Sequence, residues 1–272
     1  MANKPRSAHL HPGPGFRVRI NFTRPDPGLL RGLAEFPTPD ISDQLNRLYA
    51  VSPGVRLLTS VGHRVCGPAC TVKVFPGDNL MVHKSLDVLE RGDVVVIDAG
   101  GSSQNAVLGD LISMKARHRG AQGFVVDGFV RDLPSIAELD LPVFARGTTP
   151  IGPLHRGPGE INFAVCCGGV VVNAGDIVVG DAMGVVIVPK EIAADLLERL
   201  RQHEASQAAY LEGVRRGDFS NAWVDQILTD LECPQVKGPV AERASGLPSQ
   251  GREQSGALPV EDAAVSPQVL GT

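Results

Sequence analysis

Aromatic side chains are scarce in this sequence: 4% of 272 residues, with one tryptophan and two tyrosines. A surface that stacks unpaired bases needs aromatics interleaved with basic residues. The formal net charge of -4 supplies no positive field to draw in a phosphate backbone. No nucleic-acid partner is expected. Long apolar runs are missing too. None approaches the ~18 residues that a membrane-spanning helix requires, so no membrane partner is expected either. The opening residues MANKPRSAHLHPGPG lack the apolar segment of a secretory signal. The five cysteines are odd in number and lack the C-x2-C spacing of a zinc site. Cys166 and Cys167 sit side by side in an apolar run, and most of the five read as small buried hydrophobes of a reducing compartment. A cytoplasmic location is expected. There is no phosphate loop of the G-x-x-x-x-G-K-[ST] type, no G-x-S-x-G elbow and no H-E-x-x-H pair.

What the chain has in excess is glycine (31), proline (21) and valine in short runs. Glycine and proline together normally make up about 12% of a chain, and here they mark many tight turns between buried strands. Residues 1–35 read as an irregular arm, and 233–272, rich in Pro and Gly without aromatics, as a disordered tail. The domain between them, 36–232, opens with a short helix capped by Asp40 or Ser42 and carrying Leu45, Leu48 and Tyr49. Val94–Ile97 is a β-branched run closed by Asp98-Ala99-Gly100-Gly101; Leu111–Arg119 has helical composition; Gly123–Val126 is a second apolar strand. Strand, helix and strand form a βαβ unit with parallel strands. The later runs 161–165, 170–172, 177–179 and 185–188 are joined by turns too short for helices, which predicts an antiparallel or barrel-like second half. Gly92–Asp98 is echoed by Gly175–Asp181 as a similar turn-strand unit. After Pro189, Ile192, Leu196, Leu197, Leu200 and Leu211 share one face of a long C-terminal helix. That helix is a candidate for packing on a neighbouring protomer.

Rise per residue locates a candidate site. About ten helical residues after Gly109 cover roughly 15 Å, and about five strand residues from Gly123 return the same distance. Asp110 and the pair Arg131-Asp132 therefore meet at the carboxyl ends of the parallel strands, where ligands of open α/β sheets collect. Free amides at a helix N-terminus (Asp110, Leu111, Ile112) suit a carboxylate or phosphate. Arg131 is a permanent cation suited to a keto or enolate oxygen. Asp110 and Asp132 offer hard oxygens to a Mg2+-type ion that keeps several waters. A 2-oxo acid fits all three features, with an enolate forming when a bond beside its carbonyl breaks. Taken singly, each residue has a structural reading: Asp110 and Asp132 as helix caps, Arg131-Asp132 as a surface pair, Asp98 and Asp127 as turn residues, and Met81 as core; His83 could face the site or sit in the core. Gly100-Gly101-Ser102-Ser103 lacks the spaced glycines of a nucleotide or S-adenosylmethionine site.

The order Gly109-Asp110, twenty residues, Arg131-Asp132 resembles the D-x20-R-D signature of the RraA-like family. Asp78–His83, Gly92–Gly101, Gly123–Asp132, Pro142–Gly147 and Gly175–Pro189 agree in order, so the resemblance covers roughly residues 38–217. It implies an α/β fold of swivelling type, an αββα sandwich, assembled as homotrimers or homohexamers with active sites between subunits. It also implies a divalent-metal lyase acting on a small 2-oxo acid: a class II aldolase releasing pyruvate from 4-hydroxy-4-methyl-2-oxoglutarate-like substrates, an oxaloacetate decarboxylase, or both, through a metal-stabilised enolate. By this resemblance Asp132 is the metal ligand, with Mg2+ first and Mn2+ or Co2+ as substitutes. Asp110 holds a metal-bound water, Arg131 polarises the keto oxygen, and Gly109, Asp110, Leu111 and Ile112 line the substrate carboxylate. A Glu from a neighbouring C-terminal helix completes the site, and Glu204 is the candidate. Some relatives are instead protein-binding regulators of ribonuclease, the alternative reading. The methyltransferase label sometimes attached to the family finds no support in Gly100–Ser103.

Overall fold

Short valine and isoleucine runs, whose β-branched side chains fit a pleated surface, form most of the strands in the computed structural model, which describes residues 9–59, 64–234 and 238. In chain order the elements are β1 (Phe16–Val18), α1 (Pro27–Leu33), α2 (Thr38–Gln44), β2 (Arg56–Leu57), β3 (Val65–Val74), α3 (Leu80–Ser85), β4 (Val94–Leu108), α4 (Asp110–Arg119), β5 (Gly123–Val130), α5 (Leu133–Ala137), β6 (Val143–Thr148), β7 (Gly159–Ile161), β8 (Val165–Cys167), β9 (Val170–Val172), β10 (Ile177–Asp181), β11 (Gly184–Val188), α6 (Ala193–Arg216) and α7 (Ala222–Asp230). The chain divides into two units, Met1–Phe219 and Ser220–Thr272, ahead of the boundary at 232 read from composition. Within the second unit, α7 exposes Trp223 and Ile227. Most of the tail lies outside the described residues, as do residues 1–8. Among the described residues, no helix is long and apolar enough to cross a membrane.

The main sheet runs β1-β7-β3-β4-β5-β6-β2, and β3, β4, β5 and β6 are mutually parallel. The expected βαβ unit is thus present as β4-α4-β5. The later segment consists of the antiparallel hairpins β8–β9 and β10–β11. The long β3 serves both halves of the fold: Ala69–Lys73 pair with β4, and Val65–Pro68 pair with β10. The sequence echo therefore becomes two strands laid along the two halves of β3.

Alternation sorts the side chains into three cores. Val95, Ile97, Phe124 and Val126 face α3, α4 and α5 through Val82, Ile112, Ala116 and Ile136. Val94, Val96, Val125 and Phe144 face the hairpins through Cys167, Val172, Val178 and Ile187. The opposite faces of β10 and β11, with Ile177, Val179, Val186 and Val188, meet Leu33, Ile41, Leu196 and Leu200 of α1, α2 and α6. The result is an αββα sandwich with the long helix α6 on its outer layer. Cys70 and Cys167 are buried, whereas Cys166 and Cys233 are exposed. Burial pushes the Cys70 thiol up to about 12, which suits a residue acting as a small hydrophobe.

Three local expectations are corrected. The arm is not irregular where it is described: β1 pairs with β7, and Asp26 caps α1 by accepting from the Gly28 and Leu29 amides, with Pro27 at its first turn. The helix expected around Leu45–Tyr49 lies earlier, from Thr38 to Gln44, because Asn46 and Arg47 take positive φ and end it. Leu48 is exposed. Finally, the run from Val94 does not stop at Gly100-Gly101. Both glycines adopt left-handed φ (65° and 69°), which shifts the register against β5, and β4 continues to Leu108.

Candidate active site

That extension of β4 positions the site. Leu108 pairs with Val130 at the ends of β4 and β5, and the Arg131 amide donates to the Leu108 carbonyl at 3.0 Å. Gly109-Asp110 and Arg131-Asp132 thus leave adjacent parallel strands side by side. Gly109 is the N-cap of α4. A Cβ there would collide with Asp132 Oδ2 and lie 3.1 Å from Arg131 Cγ, so the observed placement of these two side chains requires glycine. Gly152 plays a similar part for the far end of Arg131, since its Cβ would stand 2.7 Å from Nη1.

Arg131, Gly109, Asp110, Leu111 and Ile112, five of the residues named from the sequence, line one cavity of about 360 Å³. Asp110 Oδ1 accepts from the Leu111 amide at 2.6 Å, so part of its expected capping role is real. Asp132 is different. It begins α5 at left-handed φ (57°) without any side-chain capping bond, a conformation that costs a non-glycine residue roughly 1 kcal/mol. Its carboxylate instead faces Arg131 Nε at 3.2 Å, at the cavity margin beside Gly109. The capping role offered for Asp132 is therefore not what its carboxylate does.

Two further readings are settled by contacts. Asp98 and Asp127, paired in register across β4 and β5, accept from the Cys166 and Gly168 amides respectively. Asp127 also pairs with Arg146, so both tie the β8–β9 hairpin to the sheet. Gly100–Ser103 lie within β4 and form no strand-to-helix turn for a nucleotide. Glu204 is not in the cavity. It lies on the exposed side of α6, in a cleft with Phe36, Asp40 and His203, so within one chain nothing joins it to Arg131.

Asn79, His83, Leu108, Gly152, Pro153 and His155 complete the wall of the cavity. Of the two places open to His83, the structure takes the site: its half-buried ring faces the cavity. Burial, followed by the neighbouring His155 and Lys115, holds its imidazole below the usual histidine range. His155 lies in the Gly/Pro-containing loop just after the parallel strand β6. Among the described residues, no three His, Cys, Asp or Glu side chains gather as a metal cage.

The parallel sheet of this α/β fold thus gathers a helix N-terminus, one arginine and two carboxylates at its carboxyl edge. The comparisons give the family. A family model described as RraA-like, Aldolase/RraA, matches residues 38–187, and the chain belongs to this RraA-like family. A Halalkalibacterium halodurans protein with the provisional name 4-hydroxy-4-methyl-2-oxoglutarate aldolase is 40% identical over 173 residues, covering 64% of this chain and 82% of its own length. A crystal structure from Streptomyces coelicolor, described as an unusual member of the RNase ES inhibitor RraA protein family, shares 31% identity and a TM-score of 0.62, covering 69% of this chain and 97% of that one. An uncharacterized Pseudomonas syringae protein shares 26% identity and a TM-score of 0.63, covering 73% and 97%.

Proposed function

We propose that the chain is a carbon–carbon lyase that breaks the C3–C4 bond of a 2-oxo acid, one carbon removed from the carbonyl, with the help of a divalent cation. The observation that carries this reading is the convergence of the α4 N-terminus, Asp110 and Arg131 on one small cavity, with the Asp132 carboxylate held against Arg131 at its margin. The donor set suits a hard ion. Asp132 has a carboxylate that caps nothing, Asp110 stands across Gly109 from it, and an ion such as Mg2+ keeps most of its waters and needs one or two carboxylates. Asp132 would hold the ion directly and Asp110 through water; when bound, it supplies Lewis-acid polarisation of the 2-oxo group. Mn2+ or Co2+ would serve the same donors.

The residues of the chain supply the rest. The substrate carboxylate takes the α4 N-terminus, meeting the Ile112 amide and the Leu111 amide once Asp110 turns its oxygen away. Arg131 holds a fixed positive charge against the carbonyl oxygen, where negative charge accumulates as the C3–C4 bond breaks. A preorganised group of this kind is worth on the order of 10²- to 10³-fold in rate. The aldolase name of the Halalkalibacterium relative supports a product enolate that becomes pyruvate, from a 4-hydroxy-2-oxo acid or from oxaloacetate. A homotrimer or hexamer would bring Glu204 of another subunit to the cavity mouth, and we assign it that role.

The test is pyruvate formation from oxaloacetate with and without Mg2+ or Mn2+, repeated with Asp132→Ala. The rate is expected to fall more than about tenfold both on chelation and in the variant; equal rates under all conditions contradict the reading. The Streptomyces relative's description favours a second reading, a regulator of ribonuclease. Capture of a ribonuclease that is indifferent to Arg131→Ala, with no lyase activity, would select it.

A further inference from the structure

The histidine pair on the cavity wall deepens the lyase reading and rests on it. The loop 149–156 is pinned at several points. Ile151 and Gly152 carbonyls accept from the Ala106 amide (2.9 Å) and Asn105 Nδ2 (2.7 Å). The Leu154 amide donates to the Gly77 carbonyl, the Leu154 carbonyl accepts from the Asn79 amide, and the Arg156 amide donates to Asp78 Oδ2. Five bonds on so short a loop leave His155 one place to stand. There its Nδ1 meets Asn79 Oδ1 at 2.6 Å. An amide oxygen can only accept, so Nδ1 carries the proton and Nε2 of the neutral ring carries the lone pair. Asn79 is itself buried (3% exposed), so the tautomer is fixed from beneath. The His83 ring stands edge-on to His155, centroids 5.5 Å apart.

We propose that His155 is the general base of retro-aldol cleavage, its tautomer fixed by Asn79. In a 4-hydroxy-2-oxo acid bound with its carboxylate at α4 and its carbonyl at Arg131, the 4-hydroxyl proton passes to His155 Nε2. The O–H electrons form the new C4 carbonyl, the C3–C4 bond breaks, and its electrons become the enolate stabilised at Arg131. The imidazolium then returns the proton to the enolate carbon. No oxidant or further reactant is needed. Oxaloacetate has no such hydroxyl: its C3–C4 bond breaks with loss of CO2 and no base is required before the enolate forms. The ionisable groups facing the pair are Lys115 and Asp110 from α4 and Arg131 after β5, with Asp78 behind Asn79. None of these is a neutral acceptor placed on the same wall.

The two substrates separate the roles. In the full chain with Mg2+, His155→Gln is expected to lower kcat for cleavage of 4-hydroxy-4-methyl-2-oxoglutarate about 100-fold, within the usual range for loss of a general base. Oxaloacetate decarboxylation by the same preparation should stay within about threefold, and the acid limb of the cleavage pH profile should disappear. Asn79→Leu should produce a smaller loss confined to cleavage. Parallel loss of both reactions, or loss of neither, overturns the assignment while leaving the lyase reading intact. A wild-type chain that converts neither substrate overturns the lyase reading, and the assignment with it.

Discussion

Gly109→Ala is expected to lower pyruvate formation on the order of 10³-fold while leaving the fold nearly as stable as before. One methyl group is the entire change. The Gly109 backbone (φ -144°, ψ -161°) is extended and open to alanine, so the substitution carries no conformational penalty of its own. Its Cβ collides with Asp132 Oδ2 and crowds Arg131 Cγ and Nε at 3.1 and 3.2 Å. Those are the two side chains that the proposed reaction uses for the metal and the carbonyl oxygen. A misplacement near 1 Å costs about 10²-fold, and loss of a preorganised charge costs another 10²- to 10³-fold. The two overlap, because one displacement causes both. Both side chains are more than a third exposed, so they can swing away at little cost in stability. Steady-state kinetics beside a thermal melt checks this: a normal rate, or an inactive variant that has also unfolded, contradicts it.

Arg24→Ala is expected to destabilise the fold by about 3 kcal/mol, more than a hundredfold in the folding equilibrium. Arg24 lies in the segment that the sequence presented as an irregular arm. Its guanidinium nonetheless makes a two-pronged pair with Asp93, Nε at 2.9 Å and Nη2 at 2.8 Å, and stacks over Phe22 at 4.0 Å. Asp93, wholly buried, keeps, among the described residues, the Glu90 amide as its remaining donor when Arg24 is gone. A buried carboxylate stripped of its partner costs about 3–5 kcal/mol, eased here by the partial exposure of Arg24. Lysine cannot reproduce the fork, so Arg24→Lys should recover less than half of the loss. Urea unfolding of the three proteins measures it; an arm unconnected with the fold would show no difference.

The parallel unit was legible because Val94–Ile97 and Gly123–Val126 are uninterrupted β-branched or apolar runs, a pattern few alternatives share. Asp110 and Arg131-Asp132 were legible for the same reason: once the strands are parallel, helix and strand rise bring them together. The glycine pair at 100–101 misled because a bulge and a turn use the same residue with the same positive φ. Only the ladder with β5 tells them apart. The Asp26-Pro27 start of α1 was hidden among prolines and glycines that signal loops elsewhere. His155 and Asn79 were silent because their meeting depends on hydrogen bonds across more than seventy residues, which no local period records. Glu204 lies beside Phe36 and Asp40, so any catalytic part for it belongs to an assembly of chains.

In the proposed reaction Arg131, beside the α4 N-terminus, recognises the enolate form of a 2-oxo acid. Oxalate, a planar dicarboxylate shaped like the enolate of pyruvate, tests it most directly by calorimetric titration of the full chain in Mg2+. One oxalate should bind per chain, about 30-fold more weakly in Arg131→Ala, with little recovery in Arg131→Lys because the fork geometry is lost. Equal affinity in the wild type and Arg131→Ala would contradict the claim.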